Sequence, residues 1–244
     1  MKAAKKKKIV DGLYQYSMLF LIGCFLGCIF ETILCYFQRG YIESRRGLIY
    51  GPFNLVYGFG LLVMILVLKR YKKAYSIFLV GALLGGAVEY ICSWIQEVFF
   101  HTTSWNYSRY FLNFDGRTSA YHMIWWGILA LLFMKHLYPS LMKLIKKIKK
   151  GRLAIAIIII VFFILNSFIS AYANYRQYER SKHIKATNAI QVFFDKHYPD
   201  ERVNKIYPNR RDPITHEKIN KKKSSKGNIQ NHHNRKPKKS KQGH

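Results

Sequence analysis

The fold of this chain is decided by residues 14–38, YQYSMLFLIGCFLGCIFETILCYFQ, in which a single Glu is the only charged residue. An apolar helix needs about 20 residues to cross the hydrocarbon core of a bilayer. Comparable apolar stretches follow at about 48–68, 74–100, 118–137 and 153–173. We therefore predict an all-α, polytopic transmembrane helical bundle with about five spans.

The average composition hides this organisation, because the mean hydropathy is only −0.07 although 50% of the 244 residues are hydrophobic. The apolar stretches lie within residues 12–173, the predicted transmembrane domain, which follows a basic N-terminus at 1–11. A basic tail at 174–244 contains 19 Lys and Arg against 6 Asp and Glu. Because its last part is too polar to bury a core, we predict that the tail is largely disordered.

The net charge of +28 would suit a nucleic-acid-binding protein, but the basic residues are clustered between the apolar stretches. Lys and Arg of membrane proteins concentrate in cytoplasmic loops. The N-terminus and the connections at 69–73 and 135–152 hold 16 Lys and Arg, against 5 in the alternate connections. We expect a multi-pass cell-membrane protein with a cytoplasmic N-terminus and no specific nucleic acid partner. Five spans put the tail outside; if Gly51-Pro52 stops the second stretch from spanning, the tail lies inside.

A motif in the first span recurs in the third. Residues 23–31 and 81–89 both read G-x-x-L-G-x-x-x-E, at an offset of 58. Arg46 and Tyr57-Gly58 after the first copy are matched by Arg117 and Trp126-Gly127 after the second. The pattern predicts a duplicated, parallel two-helix repeat, at about 14–69 and 74–137.

The repeated glycines predict close helix packing. Small residues four positions apart share one helix face and let two backbones approach. The residues concerned are Gly23, Gly27, Gly81 and Gly85. We expect the first and third spans to pack through these faces, which would bring Glu31 and Glu89 together at the repeat interface.

These two glutamates are the main candidates for function, because an ionisable residue inside a span is costly and by default marks a functional site. Arg46 and Arg117 precede the second and fourth spans and could neutralise them. The hypothetical substrate-binding set is Glu31, Glu89, Arg46, Arg117, Tyr50, Asn54 and His122. In the alternative interpretation each glutamate is an interhelical hydrogen-bonding clamp with no substrate.

Signatures of soluble enzymes are absent from the sequence. It contains no phosphate-binding loop, dinucleotide fingerprint, nucleophile elbow or zinc-protease motif. The four cysteines, Cys24, Cys28, Cys35 and Cys92, lie in apolar stretches without the spacing of a zinc site. We predict no catalytic residue, no cofactor and no metal, and a chain that cannot hydrolyse ATP by itself.

Several short motifs occur together in a fixed order. They are RGLIYGP at 46–52, YGFG at 57–60, GALL at 81–84 with Glu89, WNYS at 105–108, Gly116-Arg117 and Trp126-Gly127. Over roughly residues 12–140 the chain resembles a family named as "putative ABC transporter permeases", found mostly in Gram-positive bacteria. The resemblance implies a polytopic plasma-membrane protein and a transport function.

The sequence leaves open which of three functions the protein has. The first is a transporter component with a polar site at the repeat interface and a separately encoded ATPase subunit as partner. The second is a membrane-embedded enzyme acting on a lipid or envelope precursor, with a glutamate as acid or base and the arginines holding a phosphate. The third is a non-catalytic scaffold in the lipid bilayer, whose tail binds anionic lipid or envelope polymer.

Overall fold

The computed structural model describes residues 2–208 and 210, and its elements are almost entirely helical. The helices are α1 (Lys2–Arg39), α2 (Leu55–Leu68), α3 (Ala74–Phe100), α4 (Ala120–Leu132), α5 (Tyr138–Lys147), α6 (Arg152–Ser181), α7 (Ala189–His197) and α8 (Asp200–Ile206). A π-helical turn, Phe133–Leu137, joins α4 to α5. Two short antiparallel strands, β1 (Asn113–Phe114) and β2 (Thr118–Ser119), pair Asn113 with Ser119 before α4 begins.

Within residues 2–208, four helical segments are long and apolar enough to cross a membrane, judged by length and composition. They are Ala3–Arg39, Ala74–Phe99, the α4–α5 segment Ala120–Lys147 and Arg152–Ser181, and the apolar helix α2 is shorter. Many large apolar side chains on these helices are exposed, for example Ile158 at 67% and Phe168 at 71%. Such a surface suits contact with lipid rather than water. The predicted all-α polytopic bundle is confirmed.

The bundle has two ends, which we name by the N-terminus. At the proximal end, Arg152 Nη1 lies 2.6 Å from Asp11 Oδ1, and Lys69 Nζ donates to the hydroxyl of Tyr16. At the distal end, the hydroxyl of Ser44 donates to the carbonyl of Ile206. The N-terminus and the connections at 69–73 and 148–151 are therefore proximal, whereas 40–54, 101–119 and the residues after α6 are distal.

The helices are arranged as two hairpins with α6 against the first. Helix α1 packs on α2, α3 packs on α4, and α2 also contacts α3, so that the hairpins lie side by side. Helix α6 contacts α1 along the other flank. Buried apolar side chains lie at these contacts, including Leu19, Ile65 and Ala156 at the proximal end and Leu48 with Phe163 farther along.

The second predicted span begins later than expected. Helix α2 starts only at Leu55, because Asn54 is its N-cap and accepts a hydrogen bond from Val56 N at 3.1 Å. Residues 40–54 enter the bundle without helical structure, and Asn54 N donates to the carbonyl of Cys24 at 2.9 Å. Cys24 lies about 22 Å from the end of α1 at a rise of about 1.5 Å per residue. A re-entrant segment followed by the short helix α2 thus replaces the predicted helix 48–68.

Helix α6 supplies hydrogen bonds that this re-entrant backbone needs, because irregular backbone is tolerated at membrane depth only where protein or a cavity satisfies it. Ile49 N donates to Ser170 Oγ at 2.9 Å. Tyr50 N donates to Asn166 Oδ1 at 3.2 Å, and Asn166 Nδ2 returns a bond to Tyr50 O at 2.8 Å. Both α6 side chains are buried. The polar residues of α6 therefore hold the 47–54 backbone in place.

Residues 182–207, which we call the distal cap, fold onto the bundle. Helices α7 and α8 bury a small core against the end of α6 and the re-entrant segment, consisting of Ile49, Ala173, Tyr198, Val203, Ile206 and Tyr207. Asp195 bridges Arg176 at 2.7 Å and Arg180 at 2.5 Å. The predicted disordered tail is therefore structured over 174–208; the prediction for 211–244 lies outside the described residues.

Candidate functional site

The glycines of the repeated motif lie against the short helix of their own hairpin. Gly23 and Gly27 face α2: a Cβ on Gly27 would lie 2.1 Å from Tyr57 Cγ. Gly81 and Gly85 face α4: a Cβ on Gly85 would lie 2.3 Å from Trp126 Cβ. The expectation that the first and third spans pack through these faces is therefore wrong. Each glycine pair instead brings a long helix close to the helix that follows it.

The two hairpins meet through matching aromatic residues. Tyr57 packs on Gly27 and Trp126 packs on Gly85, and their ring centroids are 5.6 Å apart. Gly58 and Gly127, the next residue in each hairpin, are also buried in close contacts, with Cys24 and Phe78 respectively. The sequence pairs Tyr57-Gly58 and Trp126-Gly127 thus occupy equivalent places at the centre of the bundle.

Glu31 lies where the re-entrant segment turns into α2. Asn54 Nδ2 donates to Glu31 Oε2 at 3.0 Å, while the Asn54 Oδ1 atom caps α2. Arg45 Nη1 lies 3.7 Å from Glu31 Oε1, and Arg45 Nη2 lies 3.4 Å from Glu43. The arginine at this carboxylate is therefore Arg45, whereas the predicted Arg46 is exposed. The Glu31 side chain keeps 31% of its surface exposed.

Glu89 occupies the equivalent place in the second hairpin but has different partners. The hydroxyl of Tyr107 donates to Oε1 at 3.0 Å, and the hydroxyl of Thr118 donates to Oε2 at 2.9 Å. Glu89 is buried, and within the described part of the chain no Lys or Arg nitrogen comes within 4.0 Å of its carboxylate. Thr118 directly precedes Ser119, the N-cap residue of α4. Each carboxylate thus contacts the start of a short helix, whose exposed amides favour negative charge.

The other predicted residues are distributed around these two centres. Arg117 binds Glu97 at 2.5 Å and not Glu89, and its Nε is buried without a hydrogen-bond partner among the described residues. His122 stacks on Tyr107 at a centroid distance of 3.6 Å and exchanges a 2.8 Å hydrogen bond with Ser119. Tyr50 faces the distal cap.

Tyr107, Thr118 and Arg45 contact the carboxylates and were not among the predicted site residues. Tyr50 was among the predicted site residues, but its hydroxyl lies 2.8 Å from that of Tyr198 rather than beside either glutamate. Thr118 directly precedes the N-cap of α4, whereas Asn54 is itself the N-cap of α2, so the position of Asn54 in the sequence does not point to Thr118. No sequence pattern distinguishes Arg45 from Arg46, because the segment that carries them is irregular.

A groove at the distal end lies close to Glu89. It is open, has a volume of about 500 Å³ and is lined by residues of the second hairpin that include Tyr90, Asp115 and Thr118. Because Thr118 both lines the groove and donates to Glu89, it connects the buried carboxylate to a space that opens distally.

Comparison with known proteins places this arrangement in a family. Residues 18–171, more than half of the chain, match the family described as "Putative ABC-transporter type IV". The chain belongs to this family. No curated protein and no solved structure matches the chain.

Membership of the ABC-transporter type IV family confirms the resemblance seen in the ordered motifs and identifies the chain as a multi-pass membrane protein of a transporter-type family. The match includes both hairpins, both glutamates and most of α6, and it ends at residue 171. The distal cap lies beyond the matched residues. Within the described residues, no cluster of His, Cys, Asp or Glu has the arrangement of a metal site.

Proposed function

We propose that this protein is the membrane-spanning component of a transporter, and that Glu31 and Glu89 form the polar site on which it acts. The observation that carries the proposal is the equivalent position of both carboxylates. Each lies against the start of the short helix of its hairpin, bound to Asn54 in one case and to Thr118 in the other. An intramembrane carboxylate is costly, and two in equivalent places favour a shared role.

The charge of the site favours a particular class of solute. Arg45 is shared between Glu31 and Glu43, Glu43 also binds Arg39, and the hydroxyls that bind Glu89 are neutral. Two arginines thus offset Glu31 and Glu43, and an ionised Glu89 leaves one net negative charge, which attracts cations and groups rich in hydrogen-bond donors. We propose a solute of that chemistry, entering from the distal groove beside Thr118.

Energy for transport would have to come from elsewhere, because the sequence holds no phosphate-binding loop. We propose a separately encoded ATPase subunit that docks at the proximal end, in a cell membrane with this end facing the cytoplasm. The 16 Lys and Arg of the N-terminus and of residues 69–73 and 135–152 support that orientation. By the same rule the distal cap would lie outside.

The proposal is tested by removing the charge of each carboxylate while keeping its shape. Glu31→Gln and Glu89→Gln would be expressed in a strain that lacks the gene, under conditions in which the loss impairs growth. Glu201→Gln, an exposed acid of the distal cap, is the matched control. The amount of folded protein is measured for every variant by size-exclusion chromatography in detergent.

We expect both site variants to fold to wild-type levels and to fail to restore growth, while Glu201→Gln restores it. Full restoration of growth by Glu31→Gln and Glu89→Gln would show that the glutamates are hydrogen-bonding clamps. The same conclusion follows if growth is lost only in proportion to lost folded protein.

A further inference from the structure

A second groove, of about 480 Å³, lies at the proximal end, far from the two glutamates. It runs between the first turns of α1 and the start of α6. Among the described residues, four basic side chains line it, from Lys6, Lys7, Lys149 and Arg152, together with one acid, Asp11. The groove is therefore strongly positive, and its function is not explained by the transport site.

The acid of this groove, Asp11, is engaged in a salt bridge. Asp11 binds Arg152 Nη1 at 2.6 Å, and the same guanidinium donates to the carbonyls of Ile148 at 2.7 Å and Lys146 at 3.3 Å. Arg152 thus braces one wall of the groove. The three lysines are exposed, and no acidic oxygen within the described ranges lies within 4.0 Å of their ammonium groups. Their positive charge remains for a ligand.

Backbone donors add to this charge. Helix α6 begins at Arg152 after Gly151, which adopts a left-handed conformation (φ 71°) and provides no side-chain cap. The first amides of a helix lack acceptors within the helix and favour anions. Gly151, Leu153 and Ala154 belong to the groove lining, so this uncapped first turn borders the same space as the lysines.

The position of the groove matches the level of lipid head groups. Exposed apolar side chains begin at Ile9 on α1 and at Leu153 on α6, which are 61% and 44% exposed. Farther into the bundle Ile157 and Ile158 continue this apolar surface. Lys6 and Lys7 lie within one helical turn outside Ile9, and Lys149 lies in the connection just before α6, at the level where the charged phosphates of a bilayer meet water.

We propose that this proximal groove binds the phosphate of an anionic lipid head group. Lys6, Lys7 and Lys149 hold the phosphate by charge, and the first turn of α6 supplies amide donors. The bound lipid bridges the N-terminus of α1 to the α5–α6 turn. The site is independent of the proposed transport function.

The experiment measures lipid binding to the full chain in a nonionic detergent by native mass spectrometry. The probes are phosphatidylglycerol, phosphatidylcholine and inorganic phosphate. The groove variant is Lys6→Gln/Lys7→Gln/Lys149→Gln, and a second variant replaces the same lysines by Arg. A matched control neutralises three exposed lysines outside the groove, Lys72, Lys143 and Lys147.

We expect the Gln variant to lower phosphatidylglycerol affinity about tenfold or more, because each basic group near an anionic surface contributes measurably. The Arg variant should retain binding, and the control should change it less than about twofold. Competition by inorganic phosphate at millimolar concentration would show that the groove recognises the phosphate group itself, which can then come from a lipid head group or from a free anion. Equal losses in the groove and control variants, no loss in either, or equal affinity for phosphatidylcholine would overturn the proposal.

Discussion

Replacing Gly27 by Ala tests the packing that positions Glu31. The new Cβ would lie 2.1 Å from Tyr57 Cγ and 2.2 Å from Tyr57 Cβ. Ordinary carbon contacts are about 3.5–4.0 Å, and Tyr57 Cβ is too close to its own backbone to rotate away. Helices α1 and α2 must therefore separate by more than about 1 Å. The repeat predicts the same outcome for Gly85→Ala, whose Cβ would lie 2.3 Å from Trp126 Cβ.

Overpacking of this kind costs about 3 kcal/mol at the upper end of its usual range. Alanine recovers about 1 kcal/mol because it is a better helix former than glycine. We therefore expect each variant to lose about 2 kcal/mol of unfolding free energy, measured by equilibrium unfolding in mixed detergent micelles. Gly12→Ala is the matched control on α1, since its Cβ meets nothing within 4 Å. The reasoning is refuted if Gly27→Ala is as stable as Gly12→Ala.

Three further predictions concern single polar contacts. Asn166→Leu leaves the part-buried backbone of Tyr50 without its α6 partner and should cost about 1–3 kcal/mol in the same micelle assay, whereas no change would show that α6 does not hold the re-entrant segment. Thr118→Val keeps the side-chain shape but removes a donor to Glu89, so growth should be impaired at normal levels of folded protein; unimpaired growth would count against a functional Glu89. The Arg176 guanidinium beside Asp195 holds the pKa of that carboxyl below its ordinary 3.8, so the stability it provides is complete above pH 3.8 and is lost as the pH falls through the lower, folded value. Unfolding midpoints measured from about pH 6 to 2 should show a larger loss below pH 3.8 in the wild type than in Asp195→Asn.

The bundle and its repeat were predictable because they depend on local patterns. Apolar length gives the helices, and the spacing of Gly23, Gly27 and Glu31 gives one helix face. The partner of that face was not predictable in the same way. A face does not specify its neighbour, and the short connections make the next helix in the chain the nearest one.

The irregular and distal parts could be predicted less well. Gly51-Pro52 indicates a break, but the course of residues 47–54 depends on Asn166 and Ser170, which lie more than a hundred residues later. The polar composition of the distal cap predicts a disordered tail. Its core is completed by Ile49, a residue of the re-entrant segment, and such a long-range contact leaves no periodic signal in the cap itself.

The central claim is that Glu31 and Glu89 belong to one functional site, and a double-mutant comparison tests it most directly. The measurement is the growth restored by the wild type, Glu31→Gln, Glu89→Gln and the double variant at matched levels of folded protein. Residues that act as a unit are non-additive, so we predict that the double variant is no worse than the poorer single variant. Losses that multiply in the double variant would contradict a shared site, as would losses that simply follow the amount of folded protein.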